Sequence, residues 1–147
     1  MYKHILIPTD GSELSKKAIQ HGVALAKEMK ARVTGITVTT PYHIFALDPE
    51  MVSDSPDVYK INMANLASKY LDQVLMAALA EGESCDIDVL HVEHDQPYQA
   101  IIDAATSRGC DLIVMASHGR RGISAVVLGS ETVKVLTHCT IPVLVYR

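Results

Sequence analysis

The sequence predicts an α/β fold in which an open, five-stranded parallel sheet carries helices on both faces. Five short apolar or β-branched segments alternate along the chain with four segments of helical periodicity. Strict alternation of this kind implies parallel strands joined by right-handed crossovers. Because the chain has 147 residues, no internal repeat and no sign of a second domain, we expect one domain over residues 1–147.

Composition narrows the class of protein and of partner. Hydrophobic residues make up 48% and charged residues 20%, which is ordinary for a globular protein. The net charge of −4 gives no electrostatic support for nucleic-acid binding, and we expect no such partner. Three scattered cysteines favour reduced thiols over a disulfide framework or a zinc site. No apolar run approaches the roughly 20 residues of a membrane span, so we expect a cytoplasmic protein.

The first half of the chain is predicted as strand, helix, strand and a long connection. Residues 3–8 (KHILIP) are typical of a buried strand that a proline ends. Apolar residues recur at helical spacing over residues 14–29, and Ser12 is placed to cap that helix. β-branched residues favour a strand at Arg32–Thr39. Residues 40–56 are long for a connection, and their apolar side chains either close over a ligand or pack the loop down.

The second half continues the alternation. Residues 58–82 have a broad apolar face that includes Leu66 and Tyr70, and Gly82 is a suitable helix terminator. Pro97 stands at the favoured first position of the next helix. The predicted elements are helix, strand, helix, strand, helix and strand at residues 58–82, 85–92, 97–107, 112–115, 131–138 and 141–146.

Residues 111–132 (DLIVMASHGRRGISAVVLGSET) place a glycine-bearing loop between a buried strand and a helix. Glycines let backbone N–H groups approach a phosphate, and a helix N-terminus supplies unpaired donors and partial positive charge. Ser130 adds a hydroxyl donor, while Arg120 and Arg121 either add charge to the site or remain solvated loop residues. The stretch therefore predicts a binding site for nucleotide phosphates.

Two further loops are expected to meet this stretch. Ligands of open α/β sheets bind beyond the carboxyl ends of the strands, where the strand order reverses. That rule selects residues 9–12, 39–41 and 116–122. Asp10, in the first loop, either serves the turn and the following helix or contacts a ligand. Beside a phosphate its charge requires bonds to ribose hydroxyls or a divalent cation.

Other polar constellations carry less chemistry. His91 and His94 stand three residues apart, but no third ligand at helpful spacing supports a metal site. Ser117, His118 and Asp111 are the residue types of a catalytic triad, yet adjacent residues cannot form its geometry. The chain has no Walker lysine motif, no evident pair of metal carboxylates and no obvious water-activating base. We therefore expect no dedicated enzyme and at most slow hydrolysis.

These segments together resemble the universal stress protein family over essentially the whole chain. The resemblance rests on ILIPTDGS, on Ile36-Thr37-Val38, on ASHGRRGISAVVLGS and on the ending HCTIPVLVYR. The nucleotide-binding branch carries glycine, two residues, glycine, nine residues, then Gly-Ser or Gly-Thr. Gly119, Gly129 and Ser130 fit that spacing, but Ala116 replaces the first glycine. Its methyl group adds bulk near a ribose or α-phosphate and penalises a positive φ.

The resemblance implies a function and a set of site residues. It implies a stress-response sensor or regulator that binds an adenine nucleotide, ATP, with Mg²⁺ as an accompanying ion. Asp10 would lie near the ribose or phosphates, the backbone of Val38 would contact adenine, and the motif residues would hold the phosphates. The full implied set is Pro8, Thr9, Asp10, Val38, Ala116, Ser117, His118, Gly119, Arg120, Gly129, Ser130, Glu131 and Thr132.

The resemblance also implies a Rossmann-like sheet of strand order 3-2-1-4-5. The last strand, which runs from Ile141 to Tyr146, would pair with its twin in a homodimer. An unidentified protein partner would receive the signal. Asp95 stands where the family often has glycine, before Pro97.

Two alternative functions stay open. A nucleotide-independent dimeric interaction module is the alternative that Ala116 favours. An enzyme of the adenine-nucleotide α-hydrolase class, such as a nucleotidyl transferase, is the other. Such enzymes usually carry extra motifs or domains, for which 147 residues leave little room.

Overall fold

A computed structural model describes residues 1–43, 55–82, 86–119 and 127–147. Most of the predicted long connection, with its apolar Ile44, Phe45 and Leu47, lies outside these residues, as do Arg120 and Arg121. The elements are β1 (His4–Pro8), α1 (Glu13–Met29), β2 (Arg32–Thr39), α2 (Pro56–Ala80), β3 (Ile87–Glu93), α3 (Pro97–Ser107), β4 (Leu112–Ala116), α4 (Ser130–His138) and β5 (Val143–Tyr146).

The five strands form one parallel sheet in the order β3-β2-β1-β4-β5. The predicted α/β class, the parallel sheet and the strand order are confirmed. β1 lies at the centre, with β2 on one side and β4 on the other. The strand order reverses between β1 and β4, and the carboxyl ends of these two strands are where a ligand site is expected.

Helices cover both faces of the sheet, and each face has its own core. Ile5 and Ile7 of β1 point to the face that α1 and α2 cover, where they pack with Val23 and Val74. Leu6 points to the other face and packs against α3 and α4. Because side chains alternate along a strand, residues 5–7 of this central strand face both covered sides and are all apolar, as predicted for a buried parallel strand.

Element boundaries differ from the prediction where local chemistry outweighs apolar spacing. The second helix starts at Pro56 rather than residue 58, because Ser55 caps it through Val58 N (3.3 Å) and proline suits the first turn. The last helix starts one residue earlier than predicted, at Ser130. The last strand starts at Val143 rather than Ile141, because Pro142 has no N–H for the ladder and contributes only its carbonyl, to Ile113 N (3.0 Å).

The remaining helix signals agree with the structure. The Ser12 side chain accepts from Ser15 N (3.2 Å) and caps α1, as predicted. Gly82 follows the end of α2 with a φ of +95°, which suits a glycine after a helix. Among the described residues, no helix is long and apolar enough to cross a membrane.

A carboxylate joins the starts of β1 and β4 at the amino edge of the sheet. Asp111 accepts hydrogen bonds from the backbone N–H of Lys3 (2.9 Å) and His4 (3.0 Å), and its own N–H donates to His4 O (2.9 Å). Burial acts to raise the pKa of Asp111, but the bonds from His4 and Lys3 outweigh it and hold the pKa below its ordinary value. The charged form therefore stabilises the fold.

This linkage predicts a pH dependence of stability. Because the folded pKa is depressed, the stabilisation by Asp111 is complete above the unfolded value of about 3.9 and is lost as pH falls through the folded pKa. We expect Asp111→Asn to lower the free energy of unfolding at pH 7 by about 1 kcal/mol. In urea titrations the difference from wild type should shrink between pH 5 and pH 2. The exposed Asp72→Asn is the control, and a difference independent of pH would contradict the assignment.

Candidate functional site

A cavity of about 570 Å³ opens at the carboxyl edge of the sheet, across the ends of β1 and β4. Its volume is in the range of about 300–1,000 Å³ that ligand sites have. The loops after β1, β2 and β4 all reach it, so the three predicted loops converge on one crevice. The predicted site residues that line it are Pro8, Thr9, Asp10, Val38, Ala116, His118, Gly119, Gly129, Ser130, Glu131 and Thr132.

The loop after β1 is held by hydrogen bonds of Thr9. Its N–H donates to Ile36 O (2.9 Å), and its carbonyl accepts from Thr37 Oγ1 (3.0 Å). The Thr9 hydroxyl accepts from Gly11 N (3.2 Å) and lies 3.1 Å from Ser15 Oγ. Because Thr9 is buried and its hydroxyl contacts both Gly11 and Ser15, its side chain helps to set the shape of the loop.

Asp10 and Gly119 bring the loops after β1 and β4 into close contact. Asp10 Oδ1 accepts from Ser12 N (3.0 Å), which orients the carboxylate. A Cβ atom added at Gly119 would lie 2.1 Å from Asp10 Oδ2. A side chain at the second motif position would displace the Asp10 carboxylate, so this contact, and not a positive φ, favours glycine there. A carboxylate and a bare stretch of backbone thus face each other across the reversal point.

Ala116 is the last residue of β4 and pairs with Tyr146 of β5. Its carbonyl accepts from Thr132 Oγ1 (3.0 Å), which ties the strand end to the first turn of α4. The φ of Ala116 is not positive, so the expectation that alanine carries a conformational penalty at this position is wrong. Ala116 lines the cavity, and the volume of one methyl group is the remaining difference from glycine.

The N-terminus of α4 opens onto the cavity without a side-chain cap. Gly129 is the N-cap residue, and its N–H donates to Ser117 O (2.7 Å). A Cβ atom at Gly129 would lie 3.1 Å from the Cα of His118, so glycine lets the two ends of the loop approach. The first-turn N–H groups of a helix have no intrahelical partner and carry the positive end of the helix dipole. This terminus is therefore suited to an anion.

The one carboxylate in the first turn of α4 is directed to another helix. Glu131 accepts from Tyr98 N (2.8 Å) at the N-terminus of α3, and Lys134 Nζ donates to it (3.3 Å). α3 has no side-chain cap of its own, so Glu131 performs that role from α4. Its charge is thereby partly compensated, which reduces its repulsion of an anion at the start of α4.

Val38 presents backbone groups towards the cavity. Residues of a strand alternate in the side to which their N–H and C=O point, and Ile36 O accepts from Thr9 N on the β1 side. The N–H and C=O of Val38 point to the same side as those of Ile36. β1, however, ends at Pro8, which pairs with Ile36, so no β1 residue lies opposite Val38. The backbone groups of Thr39 point to the other side, towards β3, where its carbonyl accepts from His94 N (2.9 Å). Val38 therefore directs a donor and an acceptor beyond the end of β1.

The remaining polar candidates are placed as follows. Ser117 is buried, its Oγ lies 3.1 Å from His118 Nδ1, and its N–H donates to Tyr146 O (2.7 Å). Asp111 is at the opposite edge of the sheet, which excludes the triad. His91 Nε2 bonds Thr39 Oγ1 (2.7 Å). Across the parts of the chain that the structure describes, no three His, Cys, Asp or Glu side chains form a metal-binding group.

Sequence reasoning missed the part that the helices play in the cavity. Met63, Leu66 and Tyr70 of α2 line it, together with Pro97 and Ile101 of α3. In the sequence, Leu66 and Tyr70 belong to a broad apolar helix face, and that pattern does not separate core positions from cavity positions. The spacing 63, 66 and 70 puts these three side chains on one face, which is the only signal the sequence contains.

The chain is similar to known proteins along its whole length. The model of the universal stress protein family matches residues 1–147. Universal stress protein MJ0531 of Methanocaldococcus jannaschii is 31% identical over 147 residues, which cover all of this chain and 83% of that protein. The structure of protein MJ0577 from the same organism has a TM-score of 0.81 at 27% identity, covering 99% of this chain and 96% of the other.

A more distant structure shares the fold. It is a universal stress protein in complex with cAMP, with a TM-score of 0.68 and 23% identity over 99% of this chain and 97% of that one. At this identity the likeness concerns the fold alone.

The contact between Asp10 and Gly119 predicts an energetic coupling. Gly119→Ala places a methyl group 2.1 Å from Asp10 Oδ2, so the carboxylate must move away. In the Asp10→Ala background that conflict is absent. We expect the two substitutions to be coupled by about 1 kcal/mol or more, with Gly119→Ala less destabilising in the double variant. Urea unfolding of the four proteins measures this, and additive effects within about 0.5 kcal/mol would contradict the contact.

Proposed function

Because the chain belongs to the universal stress protein family, we propose that it binds an adenine nucleotide, with ATP as the ligand, and acts as a stress-response sensor or regulator. The observation that supports this most is one cavity in which Asp10, the backbone of Val38 and the uncapped start of α4 meet. These three groups offer separate partners for a ribose, a base and a chain of phosphates.

The phosphates fit the end of the cavity formed by α4. Gly119 and Gly129 keep side chains away from the backbone there, and Ser130 contributes a hydroxyl at the first helical position. Unpaired N–H groups and the helix dipole favour an anion at such a terminus. The Thr132 hydroxyl donates to Ala116 O, so Thr132 would contribute its backbone N–H in the first turn of α4.

The base fits the backbone of Val38. Adenine carries an amino donor beside a ring-nitrogen acceptor, and a carbonyl with a nearby N–H complements that pair. Guanine carries a carbonyl oxygen and a ring N–H at the same positions, so its pattern is reversed. With the amino position of the purine at the Val38 carbonyl, this pair of groups therefore supports adenine rather than guanine as the base.

Asp10 fits the ribose better than the phosphates, because two negative charges side by side repel each other. Its Oδ1 already accepts from Ser12 N, while Oδ2 faces the backbone of Gly119. In the alternative, where Mg²⁺ accompanies the nucleotide, Asp10 would be the carboxylate that holds the ion, since Glu131 is bound to Tyr98 N and Lys134. The ion would neutralise phosphate charge.

The cavity is better suited to a switch than to rapid phosphoryl transfer. Its described lining contains no lysine or arginine and no pair of carboxylates facing one point. His118 lies beside Ser117 Oγ and is a hydrogen-bond donor to phosphate at most. Rapid transfer depends on such clamps and on a positioned nucleophile. We therefore propose hydrolysis that is slow at most.

Ala116 decides between this function and the alternative of a nucleotide-independent interaction module. At a φ that is not positive, alanine costs no backbone strain, so its only effect on a ligand is one methyl group at the cavity wall. The cAMP complex of a protein with the same fold supports nucleotide binding only at the level of the fold.

We also propose a homodimer formed through β5. Among the described strands it lies at an edge of the sheet and is bonded only to β4. Pro142 O accepts from Ile113 N of β4, and Tyr146 O accepts from Ser117 N directly after β4. The alternating Val143 and Val145 therefore direct their N–H and C=O to the open edge. The side chain of Leu144 is 41% exposed beside that edge. An unpaired edge with an apolar side chain is suited to pairing with a twin strand.

The nucleotide proposal predicts an affinity series at position 116. Calorimetry on nucleotide-stripped protein should detect ATP binding, and absence of binding at millimolar ATP overturns the proposal. Ala116→Gly should change the affinity by less than about threefold, whereas Ala116→Val adds bulk to the cavity and should weaken binding at least about tenfold. The exposed Ala80→Val is the control. A gain of tenfold or more in Ala116→Gly would favour the nucleotide-independent module.

The dimer proposal predicts the effect of one proline. Val145→Pro removes an N–H that points to the open edge and leaves the bonds to β4 in place, so it should shift the dimer towards monomer. Val89→Pro makes the matched change on β3, the other edge strand, and should leave the dimer unchanged. Sedimentation velocity over a concentration series measures both. A Val145→Pro protein that dimerises like wild type would rule out pairing through β5.

A further inference from the structure

α2 presents two adjacent apolar stripes to different surroundings. Ala67, Val74 and Ala78 are buried against the sheet. Met63, Leu66 and Tyr70 form the neighbouring stripe, are only half-buried, and line the cavity. Their uncovered surface therefore faces the site rather than the core, and ligand contact would remove it from water.

A second apolar wall stands across the cavity. α2 covers the face of the sheet to which Ile5 and Ile7 point, whereas α3 covers the opposite face. Pro97 and Ile101 of α3 line the same cavity as the α2 stripe. The two apolar sets therefore approach the carboxyl edge from opposite sides, with the end of β2 between them.

Gly11 holds the α2 wall to the loop that carries Asp10. A Cβ atom at Gly11 would lie 2.0 Å from the Tyr70 ring, so the ring rests directly on the glycine backbone. Gly11 also has a φ of +77°, which other residues rarely adopt. The end of the wall at Tyr70 is therefore positioned against the first loop of the site.

The charged groups of the cavity lie elsewhere. Asp10, His118 and Glu131 belong to the loops after β1 and β4 and to α4. The described lining residues of α2 and α3 carry no formal charge. The cavity thus has a polar end suited to ribose and phosphates and an apolar slot bounded by α2 and α3, with the backbone of Val38 between its walls.

We propose that Met63 and Leu66 form the α2 wall of a slot that takes the flat face of the purine, opposite Pro97 and Ile101, while Tyr70 closes the slot beside the ribose. This inference rests on the proposed adenine-nucleotide site and names further residues that hold the base. Thioether and aliphatic groups make favourable contacts with aromatic faces. A ligand made of phosphates alone does not touch this wall.

Methyl NMR tests the contact directly. With ¹³C-methyl methionine the chain gives six signals, and Met63→Leu identifies the Met63 signal by its loss. Saturating ATP should shift that signal through the ring current of the base, whereas tripolyphosphate should not. Met76, 64% exposed on the same helix and outside the cavity, is the internal control. A Met63 signal that does not move when calorimetry shows ATP bound overturns the proposal.

Affinities provide the second measurement. Met63→Ala and Leu66→Ala should each weaken ATP binding by about three- to tenfold, and the matched Met76→Ala by less than about twofold. Circular dichroism of each variant checks that it is folded. If wild type binds ATP and both cavity variants bind it equally well, the wall is wrong and the nucleotide site stands. If wild type binds no ATP, both proposals fail.

Discussion

β1 ends at Pro8 while its neighbour β2 continues to Thr39, and the cavity depends on this difference in length. Beyond Pro8 the chain turns away through Thr9 and Asp10, so the β1 side of Val38 has no strand to pair with. β4 ends on the other side at Ala116 and also turns away. The space between these ends is the cavity, and its polar backbone groups result from the sheet itself.

Three glycines shape the site for different physical reasons. Gly119 makes room for the carboxylate of Asp10, and Gly129 lets the loop after β4 close on itself at the start of α4. Gly11 combines a left-handed conformation with the seat of the Tyr70 ring. At the first motif position, residue 116, the backbone does not have a positive φ, which explains why alanine fits the fold there.

Carboxylates are held by specific donors in this molecule. Asp10 is oriented by Ser12 N, Glu131 caps α3, and Asp111 joins the starts of β1 and β4. Because donors compensate its carboxylate, Glu131 repels an anion at the first turn of α4 less than the sequence alone suggests. A chain with net charge −4 can therefore present a local site for an anion.

The sequence by itself determined the alternation of elements, the parallel sheet and the three loops that meet at its carboxyl edge, because these follow from local periodicity and from general rules of chain connection. It could not determine the reason for Gly119, the conformation of Ala116, the capping of α3 by Glu131 or the α2 wall. Each of these depends on a contact between residues far apart in the chain, such as Asp10 with Gly119 or Gly11 with Tyr70. Periodicity marks Tyr70 as apolar, but only the packed helix decides that it faces the cavity rather than the core.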